Sequence, residues 1–333
     1  MKYLITGGLG FIGSNLVKKL QNIGDIYILD NENYGINNLL VEENLKYQYI
    51  KGDILDENLI KKLFENHNFD IVIHLASEIS VYESTDLNKI KYYNDNNVNG
   101  TINLLKNSVE NNVKHFIFAS SCAVYGNTDK ICTENTLLNP ENPYAINKKH
   151  CEDYCNYFGK NYDMKITILR FSNVFGNNQL VNRPYSGCII NFVENIRNNK
   201  QCIIYGDGTQ KRDFIHVDDI INGIIFMINN SITGTYNVST GKFINVNDLL
   251  KNVYKSFNES FKKPVYKEMR NGDFKTLIVS NQKLLDLGFK FQHETILDGL
   301  NTFYKQEKVL EKQKKYENNI KMIDIFFNSI QNC

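Results

Sequence analysis

A short apolar run that leads straight into regularly spaced glycines constrains this chain more than any other feature. The run Lys2–Thr6 has the branched and aromatic residues of a buried strand, and Gly7, Gly10 and Gly13 follow it before a helical pattern begins. Glycines so placed allow a tight turn, close approach of a diphosphate to the backbone, and close packing of helix on strand. The sequence therefore predicts a dinucleotide-binding turn at the N-terminus of a helix.

Short β-rich runs alternate with helical patterns through the first half of the chain. Segments such as Leu59–Phe64 and Val98–Val109 have apolar residues three and four apart, which is typical of helices. Strands that alternate with helices predict a parallel sheet covered on both faces, here a Rossmann-like doubly wound α/β fold. Besides Lys2–Thr6, the predicted strands are Ile26–Asp30, Tyr47–Lys51, Ile71–Leu75, His115–Ser120 and Lys165–Arg170.

The second half of the chain lacks this regular alternation. It suggests a helix over Ser186–Asn198, a strand over Cys202–Tyr205 and a charged amphipathic helix over Lys305–Ile330. These elements contain too few parallel strands for a second nucleotide fold. We therefore expect a NAD-binding domain over residues 1–175 and a smaller α/β substrate-binding lobe over residues 176–333.

Composition excludes several classes of protein. The 333 residues carry a formal net charge of +1, so no basic face for nucleic acid is expected. No stretch reaches the roughly 18 apolar residues of a membrane helix, and no signal-peptide pattern follows Met1. The seven cysteines include no CxxC pair, and no cluster with metal-ligand spacing is evident. We expect a cytoplasmic protein with free thiols, no metal, and no membrane or nucleic-acid partner.

Two aspartates follow predicted strands on the cofactor side. Asp30 ends the second strand, where a carboxylate binds both ribose hydroxyls of NAD and repels the 2′-phosphate of NADP. No arginine follows it to offset that repulsion, so NAD is favoured. Asp53 follows the third strand, within reach of the adenine, although an ordinary helix cap explains that residue equally well.

A serine, a tyrosine and a lysine form the candidate catalytic set. Ser121 stands at the end of the fifth strand, where open α/β sheets bind their ligands. Tyr144 and Lys148 lie four residues apart at a helix start, so their side chains share one face. A nearby ammonium and the cationic nicotinamide favour phenolate and lower the pKa of a tyrosine from about 10. Tyr144 can then take a proton from a substrate hydroxyl while Ser121 holds the same oxygen and the nicotinamide takes a hydride.

These segments resemble the nucleotide-sugar epimerases of the extended short-chain dehydrogenase/reductase family, most closely the UDP-glucose (UDP-hexose) 4-epimerases. The resemblance covers nearly the whole chain. The motifs that carry it are Thr6-Gly7-Gly8 through Gly13, Leu29-Asp30-Asn31, His74-Leu75-Ala76, Asn96-Asn97-Val98-Asn99-Gly100-Thr101, Val124-Tyr125-Gly126, Leu169-Arg170-Phe171-Ser172-Asn173, Tyr205-Gly206-Asp207-Gly208, Arg212-Asp213-Phe214 and Arg270-Asn271-Gly272-Asp273.

The resemblance implies roles for the matching positions and a homodimer paired through Val98–Asn111 and Pro143–Phe158. Ser121, Tyr144 and Lys148 take the catalytic places, and Ser121 also contacts substrate. The positions that hold NAD, besides Tyr144 and Lys148, are Gly7, Gly10, Phe11, Ile12, Gly13, Asp30, Asn31, Asp53, Ile54, Leu75, Ala76 and Asn96. The positions that hold a nucleotide sugar, UDP-linked by resemblance, are Asn173, Arg212 and Arg270.

The two residues that directly follow Ser121 distinguish the different reactions catalysed within the family. The 4,6-dehydratases have Asp-Glu there, whereas this chain has Cys122 and Ala123. A 4-epimerase needs no such pair, because its 4-keto sugar turns in the pocket and takes the hydride back on the opposite face. We therefore expect a NAD-dependent UDP-hexose 4-epimerase. Ile79 replaces a usual lysine, and Leu277 lies near a position that gates bulky sugars, so the hexose stays open.

Two other functions remain open at this point. A NADH-dependent 4-keto-sugar reductase uses the same serine, tyrosine and lysine but consumes its cofactor in each turnover. A non-catalytic NAD-sensing protein belongs to another class altogether. The intact set of Ser121, Tyr144 and Lys148 argues against a sensor, which has no need of proton transfer.

Overall fold

The computed structural model describes residues 1–34, 40, 45–179 and 187–303. In this part of the chain the strands are β1 (Lys2–Thr6), β2 (Asp25–Asp30), β3 (Gln48–Lys51), β4 (Ile71–His74), β5 (His115–Ser121), β6 (Ile131–Cys132), β7 (Lys165–Phe171), β8 (Asn173–Phe175), β9 (Ile203–Tyr205), β10 (Lys211–His216), β11 (Gly234–Val238), β12 (Phe243–Asn245), β13 (Val265–Lys267) and β14 (Ile278–Val279). The α-helices there are α1 (Phe11–Leu20), α2 (Glu57–Asn66), α3 (Val81–Ser84), α4 (Ile90–Asn94), α5 (Gly100–Glu110), α6 (Pro143–Asn161), α7 (Cys188–Arg197), α8 (Val217–Asn229), α9 (Val246–Ser256) and α10 (Gln282–Asp286).

A seven-stranded parallel sheet confirms the predicted doubly wound fold. Its strand order is β11-β7-β5-β4-β1-β2-β3, and each of the six predicted runs forms one of its strands, with bounds within one residue of the prediction. The seventh strand, β11, comes from the stretch 176–333 that was assigned to the smaller lobe. The sheet therefore contains strands from both sides of residue 175. The division into two domains at that residue stays a prediction.

Alternation along the strands divides the apolar side chains between two cores. On β1, Tyr3 and Ile5 pack with the apolar faces of α1 and α8, whereas Leu4 packs on the other side with α2, α5 and α6. Successive strand residues point to opposite faces, so both faces of this sheet must be covered. This burial explains why the middle positions of most strands are apolar, which made the strands predictable from the sequence.

A second, three-stranded sheet has a core of its own. We call this smaller unit the second lobe, and it includes β8, which ends at Phe175. Strand β10 pairs parallel to β8 and antiparallel to β12, and helices α7 and α9 pack over them. The predicted helix Ser186–Asn198 is α7, although Ser186 itself lies outside the described residues, as does the predicted terminal helix Lys305–Ile330. No helix within the described ranges has the length and apolarity needed to cross a membrane.

The helix predicted over Val98–Val109 has a different beginning in the structure. A π-helical turn, Asp95–Asn99, joins α4 to α5. Such wide turns often occur at functional sites. Here Asn97, in the turn, accepts hydrogen bonds through Oδ1 from the Glu78 N–H (2.8 Å) and the Ser77 hydroxyl (2.9 Å). The turn thus fixes the segment that follows β4.

His74, at the end of β4, is a buried neutral histidine. Its Nε2 lies 2.9 Å from the Thr101 hydroxyl, which already donates its own hydrogen to the Asn97 carbonyl (2.5 Å). Nε2 must therefore carry the proton and donate. Its Nδ1 lies 2.7 Å from the Thr6 hydroxyl, which accepts from the Ala76 N–H and donates to the ring. Both ring nitrogens are thus satisfied in the neutral form.

We predict that His74 makes the fold sensitive to mild acid. Burial, helped by the nearby charge of Lys148, lowers the pKa of His74 to about 3, whereas an unfolded histidine titrates near about 6.5. The stabilisation is complete above that upper value and is lost as pH falls toward the lower one, because only the unfolded chain takes up the proton. In urea unfolding, the free energy should fall by about 1 kcal/mol per pH unit through this group.

The variant His74→Gln tests this prediction through the slope of stability against pH rather than through stability itself. Its free energy of unfolding should decline less steeply than that of the wild type between about pH 6 and pH 4. Part of the decline should remain, because burial also lowers the pKa of His115 to about 4. Equal slopes for the two proteins would contradict the assignment.

Candidate active site

A cleft of about 480 Å³ lies at the carboxyl ends of the sheet strands, with the second lobe as its other wall. Most predicted site residues line it, but Asp53 and Ser121 do not. The predicted residues in its lining are Gly7, Gly10, Phe11, Ile12, Gly13, Asp30, Asn31, Ile54, Leu75, Ala76, Asn96, Tyr144, Lys148, Asn173, Arg212 and Arg270. The fold therefore brings both halves of the predicted site to one cavity.

The glycine turn leaves no room for side chains. A Cβ on Gly13 would lie 2.4 Å from the Gly7 carbonyl oxygen and 2.6 Å from the Gly8 Cα. Gly7 has a φ of +68°, and a Cβ there would lie 2.7 Å from the Ala76 backbone nitrogen. No side chain caps α1, whose N-cap is Gly10, so its first N–H groups face the cleft available to phosphate oxygens. This cradle fits the diphosphate of a dinucleotide.

Acidic and amide groups stand beside this turn at the end of β2. Asp30 accepts hydrogen bonds from the backbone N–H groups of Leu9 (3.1 Å) and Glu32 (2.9 Å). Burial raises the pKa of Asp30 in spite of these bonds. The side chain of Asn31 donates to Asp53 at 2.9 Å. Asp53 therefore lies behind Asn31, where it orients an amide that lines the cleft.

Helix α6 places Tyr144 and Lys148 in the wall of the cleft. The helix begins at Pro143, and the Asn142 side chain caps it by accepting from the Ala145 N–H at 2.9 Å. Lys148 is buried, with Nζ donating to the Ala119 carbonyl at 2.8 Å and lying 5.9 Å from the Tyr144 ring centroid. Burial lowers the pKa of Lys148 to about 8, which leaves it mainly cationic at neutral pH.

Ser121 lies at the end of β5 beside the cleft rather than in its wall. It is half-buried, and its Oγ accepts from the Ala123 N–H at 3.2 Å. This bond caps the short 3-10 turn Cys122–Tyr125. Its two chain neighbours, Ser120 and Cys122, both line the cleft. The role expected for Ser121 therefore stays a prediction.

A buried ion pair supports the catalytic elements from behind. Glu152 follows Lys148 by one helical turn and binds Arg170 of β7 through Nε (2.9 Å) and Nη2 (2.6 Å). The Ser120 hydroxyl donates to the same carboxylate at 2.5 Å. Arg170 also donates to the Tyr125 hydroxyl at 2.8 Å. Because the pair is bidentate and enclosed, it fixes α6 to β5 and β7 in one geometry.

Two arginines bring positive charge to the second-lobe end of the cleft. Arg212 donates to the Lys211 carbonyl at 2.9 Å, and Arg270 donates to Asp273 at 3.1 Å. The Arg270 guanidinium also stacks over Tyr205, 4.7 Å from the ring centroid. Burial raises the pKa of the Cys188 thiol to about 11, and both arginines oppose that rise. The two charges thus act on one part of the wall.

Sequence reasoning missed Glu78, a buried carboxylate of the cleft wall. One oxygen accepts from the Tyr92 hydroxyl (2.6 Å) and the Asn33 amide (3.2 Å), and the other accepts from the Tyr34 hydroxyl. Asn33 and Tyr34 follow Asp30 and also line the cleft. Glu78 therefore ties the segment after β2 to the segment after β4. The motif His74-Leu75-Ala76 ends two residues before Glu78, so the sequence motifs contain no signal for this carboxylate.

Comparisons with known proteins agree with this geometry. Residues 3–239 match the model of the NAD dependent epimerase/dehydratase family. The chain is 35% identical over 292 residues to a putative UDP-glucose 4-epimerase of Methanocaldococcus jannaschii, covering 86% of this chain and 92% of that protein. It is 35% identical over 272 residues to a dTDP-D-glucose 4,6-dehydratase of Dictyostelium discoideum, covering 76% of this chain and 61% of that protein. Its fold is similar to UDP-glucose 4-epimerase from Thermotoga maritima with UDP-glucose (TM-score 0.85, 30% identity, covering 93% of this chain and 100% of that one).

We predict that Glu78 preorganises the dinucleotide end of the cleft. Glu78→Ala should weaken NAD binding by about 10- to 100-fold, because two phenols and an amide lose a charged acceptor. Isothermal titration with NAD measures the change. The control Glu83→Ala removes a half-buried carboxylate outside the cleft, paired with Lys89 at 2.9 Å, and should bind NAD normally. Equal affinities for all three proteins would contradict the assignment.

Proposed function

The chain belongs to the NAD-dependent epimerase/dehydratase family, and from that premise we propose that it is a UDP-hexose 4-epimerase that works through a transient 4-keto sugar. The observation that carries the proposal is that Tyr144, beside buried Lys148, lines the same cleft as a glycine turn suited to phosphate and a pair of arginines. A nucleotide sugar that lies along the cleft would present its hexose to Tyr144.

NAD fits the first-lobe end of the cleft. The glycine turn would hold its diphosphate, and Asp30 with Asn31 would hold a ribose and disfavour the 2′-phosphate of NADP. Bound NAD supplies a group that accepts a hydride from a sugar carbon and returns it. The remaining side chains proposed to contact it are Phe11, Ile12, Ile54, Leu75, Ala76 and Asn96.

Tyr144 is the proposed acid and base of the reaction. Its phenolate would take the proton of the sugar 4-hydroxyl and return it when the ketone is reduced. The Lys148 ammonium, 5.9 Å from the ring centroid, stabilises the phenolate by charge. Ser121 is proposed to hold the same sugar oxygen by donating its hydroxyl hydrogen, because the bond from the Ala123 N–H uses Oγ only as an acceptor.

The arginine end is proposed to hold the sugar nucleotide. Guanidinium groups bind phosphate oxygens through fork-like charged bonds, which suits Arg212 and Arg270 to a diphosphate. Asn173 lines the cleft nearby, with its amide donating to the Asp213 carbonyl at 2.7 Å, and its free acceptor is proposed to contact the sugar. Ile79 and Leu277 also line the cleft. Because both side chains are apolar, they do not identify which C2 substituent the hexose carries.

The residues after Ser121 favour epimerisation over dehydration. Loss of the C6 hydroxyl requires an acid and a base, yet Cys122 and Ala123 occupy the positions of that pair. Burial raises the pKa of the Cys122 thiol well above its usual range, and the thiol donates to the Arg170 carbonyl. The carboxylates among the described lining residues are Asp30, Glu78 and Asp273, and each is engaged as given above.

We also propose that two copies pair through α5 and α6. Ile146, Tyr154 and Tyr157 are 39%, 41% and 55% exposed. Their spacing puts them on one face of α6, opposite Tyr144 and Lys148. Such an apolar aromatic face suits a self-complementary helical interface. A solution mass of one chain, 38.6 kDa, would overturn this assignment.

A reducing compartment, the cytoplasm, is the proposed location. The cysteines within the described ranges, all but Cys333, are free thiols. Structural disulfides are rare where glutathione keeps thiols reduced. Detection of a disulfide in protein isolated from its source would contradict this proposal.

The substitution Tyr144→Phe tests the proposed chemistry. It removes one hydroxyl from a buried ring, so the fold and bound NAD should be retained while kcat falls by about 10²- to 10⁴-fold. The assay follows interconversion of UDP-sugars by chromatography. The matched control is Tyr162→Phe, a tyrosine that is 44% exposed and lies just after the same helix, which should have wild-type kcat. A fully active Tyr144→Phe protein would exclude this mechanism.

A further inference from the structure

Outside the cleft lining, two histidines and an aspartate meet at the start of α8. His216 and Asp218 are neighbours in sequence, whereas His293 comes from a loop that returns much later. The Asp218 Oδ2 lies 3.4 Å from His216 Nδ1 and 3.3 Å from His293 Nε2, and all three atoms lie within 4.8 Å of one another. Sequence spacing gave no sign of this group, because it depends on the fold.

The two distances from Asp218 Oδ2 to the histidine nitrogens are long for hydrogen bonds between charged groups. Charge-assisted N–H···O bonds usually measure about 2.7–2.9 Å. In a tetrahedral zinc site with bonds of about 2.0–2.1 Å, neighbouring ligand atoms lie about 3.3–3.4 Å apart. The distances from Asp218 to His216 and His293 match that edge length. The third pair of atoms, His216 Nδ1 and His293 Nε2, lies within 4.8 Å.

The hydrogen bonds of His216 leave a lone pair directed at this group. Its Nε2 lies 3.1 Å from the Thr302 hydroxyl, and that hydroxyl donates its own hydrogen to the Gly299 carbonyl at 2.7 Å. Nε2 must therefore be the protonated nitrogen, and Nδ1 carries the lone pair. Metal-ligating histidines are oriented in this way, by donating their second ring N–H to an oxygen. In the structure Nδ1 accepts a hydrogen bond of 3.2 Å from the Asp218 N–H, which caps α8, and a bound ion would take the place of that bond.

The loop that carries His293 is held in place independently. The buried Asp219 carboxylate accepts from the backbone N–H groups of Gln292 (2.5 Å) and His293 (3.2 Å). His293 is therefore presented to Asp218 on a fixed backbone. The side chain of Asp218 is 32% exposed, which gives an ion a route from solvent.

We propose that His216, Asp218 and His293 bind one divalent transition-metal ion of the zinc class, with water completing a tetrahedral site. Two imidazoles and one carboxylate are the donors that Zn²⁺ accepts readily. The ion would join the loop of His293 to the end of β10 and the start of α8. It lies apart from the proposed reaction, and its role is structural.

The site has a direct link to the substrate wall. Phe175 lines the cleft and packs edge-on against the His216 ring, with centroids 5.4 Å apart. Arg212 lies on the same strand, β10, as His216. Metal binding would therefore stiffen the lobe that is proposed to hold the nucleotide sugar.

Metal titration of the full-length protein tests the proposal. Protein freed of any histidine tag and treated with chelator is titrated with Co²⁺, whose tetrahedral complexes have intense visible absorption, and with Zn²⁺ by calorimetry. We expect one ion per chain, and a higher midpoint of thermal unfolding with Zn²⁺. Asp218→Asn and His293→Gln should each weaken binding by about tenfold or more.

The control His150→Gln removes an exposed histidine of α6 and should bind the metal like the wild type. Absence of saturable binding to the wild type would overturn the proposal. Equal binding by the wild type and His293→Gln would also overturn it, because the ion would then sit elsewhere. None of these readouts depends on epimerase activity, so they stand apart from the proposed function.

Discussion

The buried ammonium of Lys148 is the constraint on which the site depends. A cation removed from water is stable only where polar or aromatic groups surround it. Lys148 finds the Ala119 carbonyl at 2.8 Å and the Phe118 ring at 4.9 Å, both on β5. Helix α6 can therefore dock on the sheet in one position only. That position places Tyr144, one turn earlier, in the wall of the cleft.

The sheet supplies the other half of the arrangement. Because all its strands are parallel, their carboxyl ends share one edge, and the glycine turn after β1 and the end of β5 both border the cleft there. The Glu152–Arg170 pair then joins β5, α6 and β7 behind that edge. The cleft thus combines a glycine turn at an uncapped helix start, an enclosed lysine beside Tyr144, and two arginines.

Local sequence patterns predict the strands of the sheet, the glycine turn and the Tyr144–Lys148 pair. The middle positions of most strands are apolar because both faces of the sheet are covered, and Gly13 is required because a Cβ there would lie 2.4 Å from the Gly7 carbonyl oxygen and 2.6 Å from the Gly8 Cα. Helical spacing puts Tyr144 and Lys148 on one face, and the glycine turn and strand-end serine that precede them distinguish the pair from a chance pattern. Glu78, the π-helical turn and the cluster with His293 could not be found in this way, because they depend on contacts between segments far apart in the chain. The backing of Asn31 by Asp53 is of the same kind.

The proposed 4-epimerase activity is best tested by proton NMR of the purified protein with UDP-sugars and without added cofactor. UDP-glucose, UDP-N-acetylglucosamine and UDP-glucuronate would be examined in turn. With one of these sugars, a 4-epimerase should produce a second anomeric signal that grows to a fixed ratio with the first, because retained NAD is recycled within each turnover. Silence across the panel, with only NADH-dependent loss of a 4-keto sugar, would contradict it and identify a reductase.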